Sequence, residues 1–510
     1  MTAEPRPDPS AAGTGAMPRD ADVIVIGAGP AGMSAAVELS AAGLSVIVLD
    51  MNASPGGQIY RAVEANLNEG ASHGLANALG AAYSAGQPLV AQFRVQSNID
   101  YRPNTVVWEL RTDGTVGWQQ AGRGGYLRAR HVVLANGAME RPMPFPGWTL
   151  PGVMTAGAVQ TLIKASRLKP SGRVVLAGTG PLLFLLADQL LKLAVRPALI
   201  ARTDGLGDKL AALPRLRPAA LPALAKGAGW MANLRRVGVR TVTSLTHLEA
   251  VGNERLREVV IKAAGKTMRL PCDLLIVHDG IIPSIDLAQG AGIAMEWRPD
   301  DASWRPVTDA HGLAKPVSGP SLSPGPNCVW LTGDARTIGG ADAAAAHGMH
   351  VGQTIAASLG AVKSRHASHS SPAKRYAQAM AARPFIDAAF PPGRWSVELG
   401  DATIICRCEE ITAAQIRSCA QQGVTDMDQL RGLLRCGMGP CQGRSCATAI
   451  ARLLSREFDS PLPMPFRGRP PVRPVPLGVL AQLQSLDPDL SRSEALDDKP
   501  DASSRGGIDV

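Results

Sequence analysis

The first ordered pattern in the chain is an unbroken apolar run, Ala21–Ile26 (ADVIVI), which predicts a strand buried on both faces. Gly27–Pro30 interrupts it, a helical run follows from Ala31 to Ala42, Gly43 stops the helix, and Leu44–Leu49 supplies a second strand. This is a complete βαβ opening. From there to about Gly125 turns alternate with strand-like pieces such as Thr105–Leu110, and Arg130–Leu134 (RHVVL) predicts another buried strand ending in Ala135-Asn136-Gly137-Ala138. A second βα unit begins at Arg173–Ala177, passes Gly178-Thr179-Gly180-Pro181 and continues as an apolar helix over 182–193. That helix carries Asp188 and Lys192 and is too short to span a bilayer.

Residues 205–235 predict helix broken by Pro214, Pro218 and Pro222, followed by strands near 238–243, 257–262 and 273–277. Cys328–Leu331 predicts a last strand, leading through Thr332-Gly333-Asp334 to a Gly/Ala-rich helix from about Gly339 to Leu359. A proline-marked connector runs from Gly360 to roughly Glu398, and a cysteine-rich segment occupies about 400–455. Beyond Pro461 the stretch PLPMPFRGRPPVRPVPL has no period and predicts an extended arm that wanders or lies along a partner. Residues 1–20 lack an apolar core segment and predict a disordered leader, with Met17 an alternative start.

Composition narrows the class. The 510 residues are 45% hydrophobic but only 4% aromatic, so the core is built from Ala, Val, Leu and Ile, which suits an α/β protein of more than one domain. The formal charge of +9 is dispersed. No basic block is interleaved with aromatics, so the reading is of no nucleic-acid binding, no membrane span and a reducing, cytoplasmic setting.

Gly27-Ala28-Gly29-Pro30-Ala31-Gly32 is a G-x-G-x-x-G motif placed between strand and helix, the context in which it binds a dinucleotide. Gly27 allows the turn, Gly29 lets backbone approach a pyrophosphate, Gly32 allows close packing, and the helix start at Pro30 and Ala31 offers N–H groups. Asp50 ends the second strand, 23 residues after Gly27, where a carboxylate meets ribose hydroxyls. Gly57 and Gln58, in the loop Ser54–Gln58, and Ala135 and Gly137, after the RHVVL strand, are assigned to the same cofactor site. Gly333-Asp334, at a later strand end, either joins that site or caps the next helix.

Gly178 and Gly180 begin a second such motif, but Leu183 replaces its third glycine, and Ala201-Arg202-Thr203-Asp204 stands where a terminal acid is expected. Three readings stay open for it: NAD(P)H reduction with Arg202 on a 2′-phosphate, a retained structural adenine nucleotide, or a purely architectural unit. No cysteine precedes Cys272, which argues against a disulfide reductase with a dithiol beside its flavin. His278 and Asp279 end a strand and are read as shaping a loop.

Six of the eight cysteines lie between 406 and 446, as Cys406-Arg407-Cys408, Cys419, Cys436 and the glycine-rich Cys441–Cys446 loop. Four thiolates in two close pairs satisfy Zn²⁺ or a [2Fe-2S] cluster equally well.

The C-x-C pair with GMGPCQGRSC resembles the small helical [2Fe-2S] domain of bacterioferritin-associated ferredoxin type. That resemblance implies Cys406, Cys408, Cys441 and Cys446 as ligands, with Cys436 a buried neighbouring thiol. The long separation of the early glycine motif from Gly333-Asp334 resembles the two-dinucleotide-binding-domain flavoproteins, a glutathione-reductase-like fold. It implies an FAD domain (21–150 and 285–360) with an inserted second Rossmann-like domain (151–284), and Asp334 on the FAD.

GGQIYR at 56–61, LAGTGPLL at 176–183, VHDGIIPS at 277–284, CRCEE at 406–410 and RPPVRPVPL at 469–477 complete the pattern. From Asp22 to Leu477 the chain is similar to the alpha subunits of heteromeric opine oxidases and D-hydroxyproline dehydrogenases, and to the flavoprotein subunit of hydrogen cyanide synthase. One departure is Asp50-Met51, where relatives carry two adjacent acids. The resemblance implies FAD, a [2Fe-2S] cluster and a beta subunit of amino-acid-oxidase type that oxidises an amine or amino-acid substrate. It also implies a small ferredoxin-like gamma subunit. Similar assemblies hold an FMN at the subunit interface, which leaves open whether one participates here. The alternatives are a stand-alone NAD(P)H reductase, the flavoprotein part of a glycine-oxidising cyanide synthase, and a non-enzymatic iron–sulfur scaffold.

Overall fold

The structure is a computed structural model, and it describes residues 19–68, 73–317, 328–361, 371–392, 399–458 and 462–484. The predicted leader lies outside these residues, apart from Arg19 and Asp20, as does the end of the arm beyond Gln484.

Two parallel sheets organise the chain. In the first, Ile99–Arg102, Val46–Leu49, Ala21–Ile26, the end of Arg123–Leu134, and Cys328–Leu331 lie side by side in that order. Every residue of Val46–Leu49 and Cys328–Leu331 is buried, as expected of strands covered on both faces. Arg123–Leu134 is long enough to serve twice. Its first half forms an antiparallel meander with Thr115–Gln120 and Val106–Leu110. The register Val25↔Val133 and Ile26↔Leu134 aligns the strand ends, so that Gly27, Ala135 and Thr332 emerge on one edge.

The second sheet has the order 241–242, 199–202, 174–179, 274–279, 153–155, all parallel. A three-stranded antiparallel layer, Leu245–Gly252, Leu256–Ala263 and Lys266–Pro271, covers it. The chain crosses between the two units at the antiparallel pair Ala138–Glu140 and Ile281–Pro283. Among the described residues, no helix is long and apolar enough to cross a membrane.

Helix Ala341–Ser358 lies directly on helix Pro30–Ala41. A side chain at Gly348 would fall 2.1 Å from the carbonyl of Ala31, and one at Gly352 would fall 2.8 Å from that of Ala35. This small-residue spacing seats the late segment against helix Pro30–Ala41.

The segment between Arg61 and Arg94, expected as turns and strand-like pieces, is instead helical over Val63–Asn68, His73–Leu79, Ala81–Ser84 and Gln87–Arg94. The C-terminal arm does not wander in its described part: it lies along this chain itself. Val472 donates its N–H to Trp108 O, Arg473 pairs with Asp286 at 2.7 Å, and Gln119 donates to Pro474 O. The cysteine-rich unit forms its own core around Ile405, Ile416, Leu430 and Ile450, and Trp148, packed on the core of the second sheet, donates Nε1–H to Ile404 O at 2.7 Å.

Candidate cofactor sites

The first motif is shaped as a phosphate cradle. Gly27 has φ +105°, and a side chain there would strike the Ala135 carbonyl at 2.5 Å; one at Gly32 would meet Gly27 O at 1.8 Å. At Gly29 only Gly57 Cα, 3.8 Å away, faces the missing side chain, so the backbone is open towards the crevice. Gly57 has φ +61° and faces Gly29 in turn. Helix Pro30–Ala41 starts at Gly29 with no side-chain cap, leaving its first N–H groups for an anion.

Asp50 is buried at the second strand end. Its Oδ2 accepts the Ala28 N–H at 3.0 Å, and its Oδ1 accepts both the backbone and the side-chain N–H of Asn52 at 2.8 Å. Burial raises its pKa, against these hydrogen bonds. Its established work is therefore to staple the glycine loop to the strand end. Met51, in place of a second acid, is 62% exposed.

The late pair reaches the same place. Gly333, at φ +62°, abuts Ala31, and Asp334 Oδ1 accepts the N–H groups of Gly339 at 2.8 Å and Gly340 at 3.1 Å. Asp334 thus ties down the turn before helix Ala341–Ser358, the capping role, while its neighbour Gly333 stands against helix Pro30–Ala41. Ala135 donates to Ile26 O, Gly137 O accepts from Ser284 N, and Gln58 Nε2 donates to Ala138 O. All these residues line one edge.

Lys164 was not visible as a site residue in the sequence. Its ammonium, on helix Ala156–Ser166, donates to Gln58 O and Ile59 O at 3.1 Å, and burial pushes its pKa down to about 8. A lysine within the otherwise apolar turn LIKA was the available signal.

In the second motif Gly178, at φ +134°, packs against the His278 carbonyl, and a side chain at Gly180 would stand 3.3 Å from His278 Nε2. His278 Nδ1 lies 2.6 Å from Glu140 Oε1, and Glu140 Oε2 accepts Gly157 N–H at 2.8 Å. Asp279 pairs with Arg141 at 3.7 Å, so both strand-end residues brace the interdomain crossing. Leu183 is fully buried. Arg202 does not face solvent: it pairs with Asp204 and stacks over Phe184 at 4.9 Å.

The four expected cluster cysteines interact as two pairs, Cys406 with Cys446 and Cys408 with Cys441. Among the described residues no three His, Cys, Asp or Glu groups converge as tightly as one metal ion needs; four thiolates are the ligand number of a [2Fe-2S] cluster. The Cys446 thiol and the N–H groups of Gly437, Glu409 and Cys408 hold Cys406 down to a pKa of about 5, although its burial opposes this. Such N–H groups favour negative sulfur. Cys436 is buried, and burial pushes its thiol up to about 12. Cys272 and Cys328 are fully buried, Cys419 is half-buried, and there are no disulfides among the described residues.

Residues 21–300 match the pyridine nucleotide-disulphide oxidoreductase family profile, and residues 404–456 match the BFD-like [2Fe-2S] binding domain. The chain is 38% identical over 479 residues to the A subunit of opine oxidase from Agrobacterium tumefaciens (strain Ach5), covering 91% of this chain and 92% of that one. The chain belongs to the family of opine oxidase A subunits.

This family extends at lower similarity to the HcnB subunit of hydrogen cyanide synthase from Pseudomonas aeruginosa, 30% identical over 90% of this chain and 98% of the relative. Among solved structures, L-proline dehydrogenase from P. horikoshii has the same fold, with TM-score 0.63 and 21% identity over 90% of this chain and 79% of that chain. Family membership makes the chain part of a flavin-dependent oxidoreductase, with FAD and a [2Fe-2S] cluster as its cofactors.

Proposed function

We propose that this chain is the alpha subunit of a heteromeric dehydrogenase. A beta subunit of amino-acid-oxidase type oxidises an opine, D-hydroxyproline or a similar amine, and this chain relays the electrons to an external acceptor. The observation that carries the reading is the pairing, in one chain, of a flavin cradle with a cysteine cluster on a separately cored unit docked through Trp148 and Ile404. The names of its relatives as subunits support a partner.

Gly27, Gly29, Gly32, Gly57 and the N-terminus of helix Pro30–Ala41 hold the pyrophosphate of FAD. Asp50 and Asp334 fix the loops around it, and Ala135, Gly137 and Gln58 line its approach. Cys406, Cys408, Cys441 and Cys446 hold the cluster. When bound, FAD exchanges two electrons and the cluster one, which is the chemistry that an electron relay requires. The chain's own residues contribute binding, orientation and water exclusion.

Anaerobic visible and EPR titration of the complex co-purified with its beta subunit tests this. Bleaching of flavin and appearance of a reduced [2Fe-2S] signal with one amine substrate, and not with NADH, is the expected result. Rapid reduction of the isolated chain by NADH overturns it.

A further inference from the structure

The family to which residues 21–300 belong is named for pyridine nucleotides, yet the second nucleotide crevice of this chain does not fit one. In such a unit the pyrophosphate sits at the start of the helix after the first strand, and the adenosine half extends towards the end of the second strand. Here that path runs from Gly180–Pro181 to Arg202–Asp204, and protein fills it.

Phe390 packs edge-on against Phe184, in the first turn of helix Pro181–Lys192, with ring centroids 6.4 Å apart. Lys209 Nζ lies 3.2 Å from the Phe390 ring centroid and bonds to Ala389 O. The same ammonium pairs at 3.0 Å with Asp204, which also takes Arg202. The two cations that would attract a phosphate are thus spent on a buried carboxylate and an aromatic ring.

The occluding segment also crosses towards the flavin unit. Helix Arg383–Ala389 packs on helix Leu206–Ala212 of the second unit. The preceding helix, Pro372–Met380, sets Tyr376 against His347 at 5.0 Å and Met380 beside Gly339 in the flavin unit.

We propose that helix Arg383–Ala389 and Phe390 are a built-in plug of the second nucleotide crevice, and that Phe390 excludes the ADP half of NAD(P)H. The chain is thereby denied a pyridine-nucleotide donor, and its electrons come from a partner. The first statement stands independently of the proposed function; only the second rests on it.

Calorimetric titration of the full chain with ADP-ribose, NADH and NADPH tests the plug without any turnover. Wild type is expected to show no saturable binding, Phe390→Trp to stay closed, and Phe390→Leu and Phe390→Ala to open progressively. The last should gain about tenfold or more in affinity for ADP-ribose. Hydrogen exchange over 383–392 in the wild type, with and without ADP-ribose, adds a readout that needs no variant to fold: no change is expected. Saturable binding by wild type overturns the proposal. So does a failure of the smaller side chains to open the crevice, since Leu183 and the strand end would then be the barrier. Neither failure bears on reduction by an amine in the complex, which tests the heteromeric reading separately.

Discussion

At the scale of single residues, the two cofactor sites depend on atoms that are missing as much as on atoms present. Gly29 is open towards the crevice, whereas Gly32 is closed against Gly27 O at 1.8 Å. The two glycines therefore predict different failures. Gly29→Ala should fold and lose FAD affinity, read by flavin content after gel filtration. Gly32→Ala should lower thermal stability as well, because backbone must move to admit its methyl group. Equal melting temperatures for the two variants would contradict this division. The cysteines divide similarly. Cys441→Ser should abolish the [2Fe-2S] EPR signal while sparing flavin, and Cys436→Ser should keep the signal, since Cys436 lies outside the two thiol pairs. Loss of iron in Cys436→Ser would assign the ligands differently.

At the scale of elements, the arm is an integral brace. Phe466 lies under the cluster loop, where side chains at Gly437 or Gly443 would fall within 2.8 Å of its ring, and Arg431 stacks on it at 4.7 Å. Phe466→Ala should cost about 3–5 kcal/mol of local stability and lower the iron-to-flavin ratio with flavin retained, measured by iron assay against the visible spectrum. An unchanged ratio would show that the loop stands alone.

The first βαβ unit was legible because its signals are local: an apolar strand, a glycine motif and a stop at Gly43. The arm was not, since contacts such as that of Val472 with Trp108 join residues more than three hundred positions apart. The helices between Arg61 and Arg94 were hidden by their shortness and by Gly80 and Gly86 at their starts. Even Gln87–Arg94 buries only Val90 and Phe93. The glycine loops and paired cysteines could be read as motifs. The plug at Phe390 could not, because nothing near it in sequence resembles a nucleotide site.

At the scale of the whole molecule, the strand Cys328–Leu331 closes the flavin unit, and two neutral histidines hold it. Trp330 Nε1–H donates to His131 Nδ1 at 3.1 Å, so the His131 proton sits on Nε2. Arg336 reaches His347 Nε2, leaving Nδ1–H to donate to Thr332 Oγ1 at 2.9 Å. Burial, with nearby arginines, depresses His131 to about 4 and His347 to about 3. Below the ordinary histidine pKa the unfolded chain therefore binds two protons that the folded chain refuses, and stability falls as pH falls. Between pH 7 and 5 the loss is about 2 kcal/mol for each histidine. Buried carboxylates such as Asp50 and Asp334 have raised pKa values and act in the opposite sense. A single replacement isolates the histidine contribution from theirs. His131→Gln keeps an acceptor for Trp330 but cannot take a proton, so its melting temperature should decline less steeply from pH 7 to 5 than that of wild type. Parallel declines would mean that His131 takes up its proton as readily in the folded chain as in the unfolded one, and that the closing strand is held by something other than its neutral ring.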